Sequence, residues 1–203
     1  MISEAFVLAG GKSTRMGTAK ALLEIDGVNF LTKTLNTLSE TAERVFIVGK
    51  PPSPKKFSDW EIVEDELPGE GILSGLYTGL KACKTAWAFC GCCDVPTVHR
   101  ELPNMLWEIA DGRDDCLMPH ALGFPQPTLS LYRTSIHKDI PKYINITTES
   151  NLRRKLWGFL DRIKIQLVEE NYFTSRGIPK ICFHNNNDIH DLDFLMKEWE
   201  KIK

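Results

Sequence analysis

Through its first two thirds the chain alternates short, continuously apolar runs with segments of helical length. Glu4-Ala5-Phe6-Val7-Leu8-Ala9, Val45-Phe46-Ile47-Val48, Trp60-Glu61-Ile62-Val63 and Trp87-Ala88-Phe89-Cys90-Gly91-Cys92 read as four strands. Between them, Asn29 to Thr41 sets Phe30, Leu31, Leu35 and Leu38 on one helical face, and a glycine-punctuated turn leads into a helix from Ile72 to Ala82. A further helix is expected over Arg100 to Ala110. Strands with no polar alternation must be covered on both faces. The pattern therefore predicts an α/β fold of three layers, α/β/α, around a mostly parallel, Rossmann-like sheet. Such sheets gather ligands at the carboxyl ends of their strands, so the residues just after each run are the ones to inspect.

The rest of the chain is less regular. Cys116-Leu117-Met118 and Thr128-Leu129-Ser130-Leu131-Tyr132 read as strands, and Asn151 to Trp157 as a basic helix. Ile163 to Val168 alternates like a half-exposed strand, Lys180-Ile181-Cys182-Phe183 reads as a short final strand, and Ile189 to Ile202 as an amphipathic helix. With 203 residues and no Gly/Ser/Pro linker, a single domain over residues 1–203 is expected, and Lys50-Pro51-Pro52-Ser53-Pro54-Lys55-Lys56 reads as one surface loop. A formal charge of −2 argues against nucleic-acid binding by bulk electrostatics, so any phosphate must meet local cations. The expected location is cytoplasmic: Met1-Ile2-Ser3-Glu4 runs straight into a strand, and no apolar stretch nears the ~18 residues of a membrane span.

Six cysteines are present, and Cys90, Cys92 and Cys93 fall in an apolar run. They lack the C-x-x-C or Cys/His turn spacing of a zinc site, which favours small buried hydrophobes over ligands.

The chemistry is concentrated after the first strand. Leu8-Ala9-Gly10-Gly11-Lys12-Ser13-Thr14-Arg15-Met16-Gly17-Thr18-Ala19-Lys20 is a glycine-rich loop carrying Lys12, Arg15 and Lys20. Glycines let backbone N–H groups turn toward a ligand and the cations add charge, which suits a polyphosphate. A Walker A loop is excluded because Phe6 stands where its first glycine belongs, and no G-x-G-x-x-G occurs. The loop instead matches L-A-G-G-x-S-x-R-M-G-x-x-K, and on it the chain resembles the nucleotidyltransferases related to molybdenum cofactor guanylyltransferase, whose sheet is of the nucleotide-diphospho-sugar transferase type.

The later elements of that family follow in order. Cys93-Asp94-Val95-Pro96 resembles its C-D-x-P element, whose aspartate holds magnesium; a capping Asp before the next helix is the ordinary alternative. Asp65 aligns with an acidic residue that contacts the nucleotide, and Gly71-Ile72-Leu73-Ser74-Gly75 with a G-P-L-A-G helix start, its proline replaced by Ile72 and its alanine by Ser74. Gln126-Pro127 resembles the element beside the acceptor, although a proline turn entering an edge strand reads the same way. Asn185 and Asn187 match the N-x-N element before Leu192, where Asn187 or Asp188 could equally cap the last helix. Arg153, Arg154 and Lys155 cannot all face one way on a helix and read as a solvated face.

The resemblance implies transfer of GMP from GTP to the terminal phosphate of the molybdenum-bound pterin, with release of pyrophosphate. Leu8, Ala9, Gly10, Gly11, Lys12, Ser13, Lys20, Asp65, Gly71 and Asp94 then bind the nucleotide. Arg15, Lys20 and Asp94 are the catalytic candidates, and Mg2+ is the expected cofactor on Asp94. Gln126, Pro127, Asn185 and Asn187 face the acceptor. GTP and molybdopterin are the implied partners, with molybdoenzyme apoproteins or other cofactor-synthesis proteins beyond them. Related cytidylyltransferases read L-A-A-G, so Gly10 leaves room for a purine. Cytidylyl transfer to the same pterin, transfer to a sugar phosphate, and a non-catalytic carrier of GTP or pterin are the alternatives. The five scattered histidines suggest no catalytic constellation.

Overall fold

The computed structural model describes residues 2–9, 20–67, 69–186 and 189–202, without the side chains of the first two residues of the last stretch. In chain order it contains β1 (Glu4–Leu8), β2 (Glu24–Ile25), β3 (Val28–Asn29), α1 (Phe30–Ser39), β4 (Arg44–Val48), β5 (Ile62–Val63), α2 (Ile72–Ala82) and β6 (Trp87–Cys92). There follow α3 (Leu102–Glu108), β7 (Cys116–Ala121), β8 (Phe124–Pro125), β9 (Ser130–Arg133), α4 (Ile140–Ile146), α5 (Leu152–Leu160), β10 (Ile165–Glu169), α6 (Glu170–Thr174) and α7 (Ile189–Glu200).

The main sheet runs β10-β7-β9-β6-β1-β4-β5, with the short β8 added to β7. β1 pairs in parallel with both β4 and β6, β4 with β5, and β10 with β7, whereas β9 is antiparallel to β6 and β7. Two antiparallel pairings through β9 make β7 run with β6. Leu8, Val48, Val63, Cys92 and Ala121 therefore all end at one edge of the sheet.

The expected three layers form because both faces of β1 and β6 are apolar. Phe6 and Leu8 point to one face, and there α2 comes close enough that a Cβ on Gly79 would sit 2.4 Å from the Phe6 ring. A Cβ on Gly75 would sit 2.8 Å from Leu8. Gly91 points to the other face, against Leu38 of α1. Trp87 meets Trp107 of α3 edge-on at 6.4 Å, and the Tyr172 hydroxyl of α6 bonds the Met105 carbonyl, which puts α3 and α6 on α1's side. Asn29 starts α1 as expected of an N-cap, its side chain accepting from the Thr32 N–H.

Several elements differ from the sequence reading. Lys180 to Phe183 is a 3-10 turn, not a strand: the Cys182 N–H bonds the Pro179 carbonyl and the Thr97 hydroxyl takes the Ile181 carbonyl. Three consecutive buried residues looked like a strand because the segment is enclosed on all sides. Residues 127–129 likewise form a 3-10 turn before β9. The third strand shrinks to Ile62–Val63 and the helix after residue 100 to Leu102–Glu108, with Pro103 in its first turn. The hairpin β2–β3, α4 and α6 lay outside the reading. The hairpin had a usable signal, since Asp26-Gly27 adopts φ 56° and 73° and Asp-Gly favours such two-residue turns.

Candidate functional site

Three of the parallel strand ends meet around one ion pair. β1 stops at Leu8, whose carbonyl accepts from the Cys93 N–H, while the Ala9 N–H bonds the Val48 carbonyl. Leu8 and Ala9 are buried and fix where the next loop departs. Gly10, Gly11, Lys12, Ser13 and Arg15 lie outside the described residues. The described chain resumes at Lys20, and its Nζ donates to Asp94 Oδ2 at 3.1 Å. Residues far apart in sequence, singled out separately, thus share one contact. The Cys93 thiol approaches Asp94 Oδ1 at 3.7 Å, and the Asp94 side chain keeps 34% exposure at the sheet edge.

This donor set suits a hard divalent cation. Among the described residues no three His, Cys, Asp or Glu side chains converge. A single accessible carboxylate fits magnesium, which keeps several waters and takes its other oxygens from phosphates. The neighbouring thiols are poor ligands. Burial pushes Cys92 up to about 12 and Cys93 well above its ordinary value, so both stay protonated. Cys90 and Cys92 are interior residues of β6, as the apolar run suggested.

The second cluster follows β5. Partial loss of water raises the Asp65 carboxyl above its ordinary value. Ser74 is buried in the first turn of α2, and its Oγ has no hydrogen bond of its own among the described residues. Gly71 caps α2 with φ 61° and ψ −136°. The space its missing side chain leaves is taken by Leu152 of α5, 3.2 Å from where a Cβ would stand. Glu70 beside it pairs with Lys155 at 2.6 Å. Lys155 thus anchors α5 over the start of α2 instead of belonging to a solvated face, and Asn151 caps that helix.

The positions expected at the acceptor differ in accessibility. Gln126 is buried, its Nε2 donating to the Ala121 and Phe124 carbonyls at 3.0 and 3.3 Å, so it braces the β7–β8 hairpin. The Pro127 carbonyl accepts from the Tyr132 hydroxyl. Asn185 donates to Gln126 Oε1 at 3.4 Å, which joins two predicted acceptor positions. Asn187 lies outside the described residues. Asn186, which the sequence reading passed over, is fully buried and places both its backbone N–H and its Nδ2 on the Asp94 carbonyl, at 2.9 and 3.1 Å.

A mostly parallel sheet with a cation–carboxylate pair at its carboxyl edge has the layout in which α/β folds gather ligands. The MobA-like NTP transferase domain matches residues 5–163, and the chain belongs to that family. A relative from Halalkalibacterium halodurans, described as "probable molybdenum cofactor guanylyltransferase", is 30% identical over 202 residues, covering 95% of each chain. One of the same description from a Geobacillus species is 29% identical over 195 residues, covering 94% of this chain and 96% of its own. Among solved structures, molybdopterin-guanine dinucleotide biosynthesis protein A from Archaeoglobus fulgidus superimposes with a TM-score of 0.79 at 22% identity, over 98% of this chain and 99% of that one. The 2-C-methyl-D-erythritol 4-phosphate cytidylyltransferase of Thermus thermophilus gives 0.65 at 16% identity, over 98% of this chain and all of that one. At these identities the two structures speak for the fold. Both are consistent with the nucleotide-diphospho-sugar transferase type of sheet.

Proposed function

We propose that this protein transfers GMP from GTP to the terminal phosphate of the molybdenum-bound pterin cofactor. An acceptor phosphate oxygen bonds to the α-phosphorus of GTP, the α–β bridging P–O bond breaks, and pyrophosphate leaves. The observation that carries this reading is the contact of Lys20 with Asp94 at the carboxyl edge, between the end of β6 and the segment that follows the glycine-rich loop.

Asp94 is the residue that would hold Mg2+, which when bound neutralises charge on the phosphate oxygens. Lys20, already at the carboxylate, would balance charge on the triphosphate, a task the resemblance also gives to Arg15 and the Gly10 to Ser13 segment, which lie outside the described residues. On this reading Asp65 meets the nucleoside, Gly71 offers it main chain alone because Leu152 fills its side-chain space, and the braced hairpin after β7 faces the acceptor. No general base is needed, because a phosphate acceptor is an anion at neutral pH. The work is charge neutralisation and in-line placement. Among the described residues no helix is long and apolar enough to cross a membrane, which is compatible with a cytoplasmic enzyme.

The test is pyrophosphate release with magnesium and molybdopterin, offering GTP, CTP and ATP in parallel. Acceptor-dependent release from GTP alone is expected. Release from CTP instead would overturn the base assignment. Asp94→Asn should reduce magnesium-dependent turnover by on the order of 10²-fold or more. A protein that binds GTP and pterin with no turnover, its affinities untouched by Asp94→Asn, would be a carrier.

A further inference from the structure

We infer that Asn186 is a positioning residue that fixes the peptide of Asp94 and thereby aims the carboxylate; this rests on the reading of Asp94 as the metal-holding residue. The Asp94 carbonyl receives two donors from one residue, the Asn186 backbone N–H at 2.9 Å and its Nδ2 at 3.1 Å. One donor sets a distance. A second, arriving from a different direction, limits rotation of the acceptor peptide as well. At its other side Asp94 touches Lys20 Nζ and the Cys93 thiol, so the residue is held at its main chain and its carboxylate together.

A space-filling role does not account for an amide here. Asn186 is fully buried, and its Oδ1 has no hydrogen-bond partner among the described residues. A buried acceptor left unpaired is costly, and leucine would fill a similar volume without that penalty. Reversing the amide would set Oδ1 against the Asp94 carbonyl oxygen, acceptor to acceptor, so the orientation is dictated by Asp94. What the amide adds is the second donor. The preceding residue extends the same function, since Asn185 bonds Gln126 and Gln126 bonds the carbonyls of Ala121 and Phe124. Adjacent asparagines thereby tie the carboxylate turn to the β7–β8 hairpin, and the metal-holding group keeps a fixed relation to the acceptor side.

Stability and metal affinity separate this role from a structural one. In Asn186→Leu the melting temperature should stay level or rise, because the orphaned acceptor is gone. Binding of the Mn2+–GTP complex, followed by the enhanced water-proton relaxation that Mn2+ shows when held on the protein, should weaken by on the order of 10-fold, the usual scale for residues that orient a metal ligand. Asn186→Ala is the second variant should leucine fail to fold, and the same weakening is expected. Asp94→Asn reads the underlying assumption. If Asp94→Asn leaves Mn2+ binding unchanged, the metal assignment itself fails. If Asp94→Asn weakens it while a folded Asn186→Leu or Asn186→Ala binds Mn2+ as the native protein does, the assignment stands and the positioning role of Asn186 is overturned.

Discussion

Lys20 joins the two halves of the site more directly than any other described residue. Its ammonium sits on Asp94 Oδ2 with 17% of the side chain exposed, so the pair is shielded enough for charge to matter and open enough for a phosphate to enter. A lysine already committed to a carboxylate needs little reorganisation when a triphosphate arrives beside it. Lys20→Ala should lower kcat by about 10²-fold while raising the KM for GTP far less, since the charge is needed most as pyrophosphate departs. Steady-state kinetics with saturating acceptor separates the two effects. A rise in KM alone would reduce Lys20 to a ground-state contact.

At the scale of elements, α2 determines where Leu8 and Ser74 lie, and it does so through two absent side chains. Gly75 and Gly79 let the helix backbone settle onto Leu8 and Phe6. Gly79→Ala would favour the isolated helix but force a methyl against the Phe6 ring, and the clash should win by about 1–3 kcal/mol. Thermal unfolding should show it, and adding Phe6→Leu should recover much of the loss if the clash is the cause. This packing also explains what could be read from sequence. β1, β4, β6 and α2 were legible because burial on both faces leaves continuous apolar runs and a one-sided helix. Lys180 to Phe183 was not, because enclosure by neighbouring elements imitates strand burial. Asp94 and Lys20 were legible as candidates, one after a strand and one at the end of a loop, and the structure adds the contact between them. Asn186 was hidden because its role depends on a turn 92 positions away in the chain, and no local pattern records that meeting. Gln126 carried a readable motif, yet only its burial assigns it to bracing the hairpin.

Across the whole molecule, the edge of the sheet opposite the site is closed by a second set of charges that carries none of the proposed chemistry. Glu4, with a side chain only 5% exposed, accepts from Arg44 at 2.7 Å, from the Lys84 and Thr85 N–H groups at 2.6 and 2.7 Å, and from the Thr85 hydroxyl at 2.7 Å. Arg44 goes on to Glu61 and to the Ala82 carbonyl, so β1, β4, the approach to β5 and the end of α2 are joined at one point. Burial alone would raise the Glu4 carboxyl, but the bonds from Thr85, Arg44 and Lys84 outweigh it and hold the group below its ordinary value of 4.5. The sign for stability follows from which state takes up the proton first. As pH falls through 4.5 the unfolded chain protonates Glu4 while the folded protein resists, so the contribution is complete above 4.5 and drains away toward the depressed folded value. Glu4→Gln keeps the shape but loses the charge, and should cost about 2–3 kcal/mol at neutral pH, or roughly 4–12 °C in melting temperature for a chain of this size. The difference should narrow as melting is repeated at pH values stepping below 4.5, because the native protein loses there what the variant never had. Turnover measured well below both melting temperatures should be unchanged, since the clasp and the Lys20–Asp94 pair lie at opposite ends of the same strands.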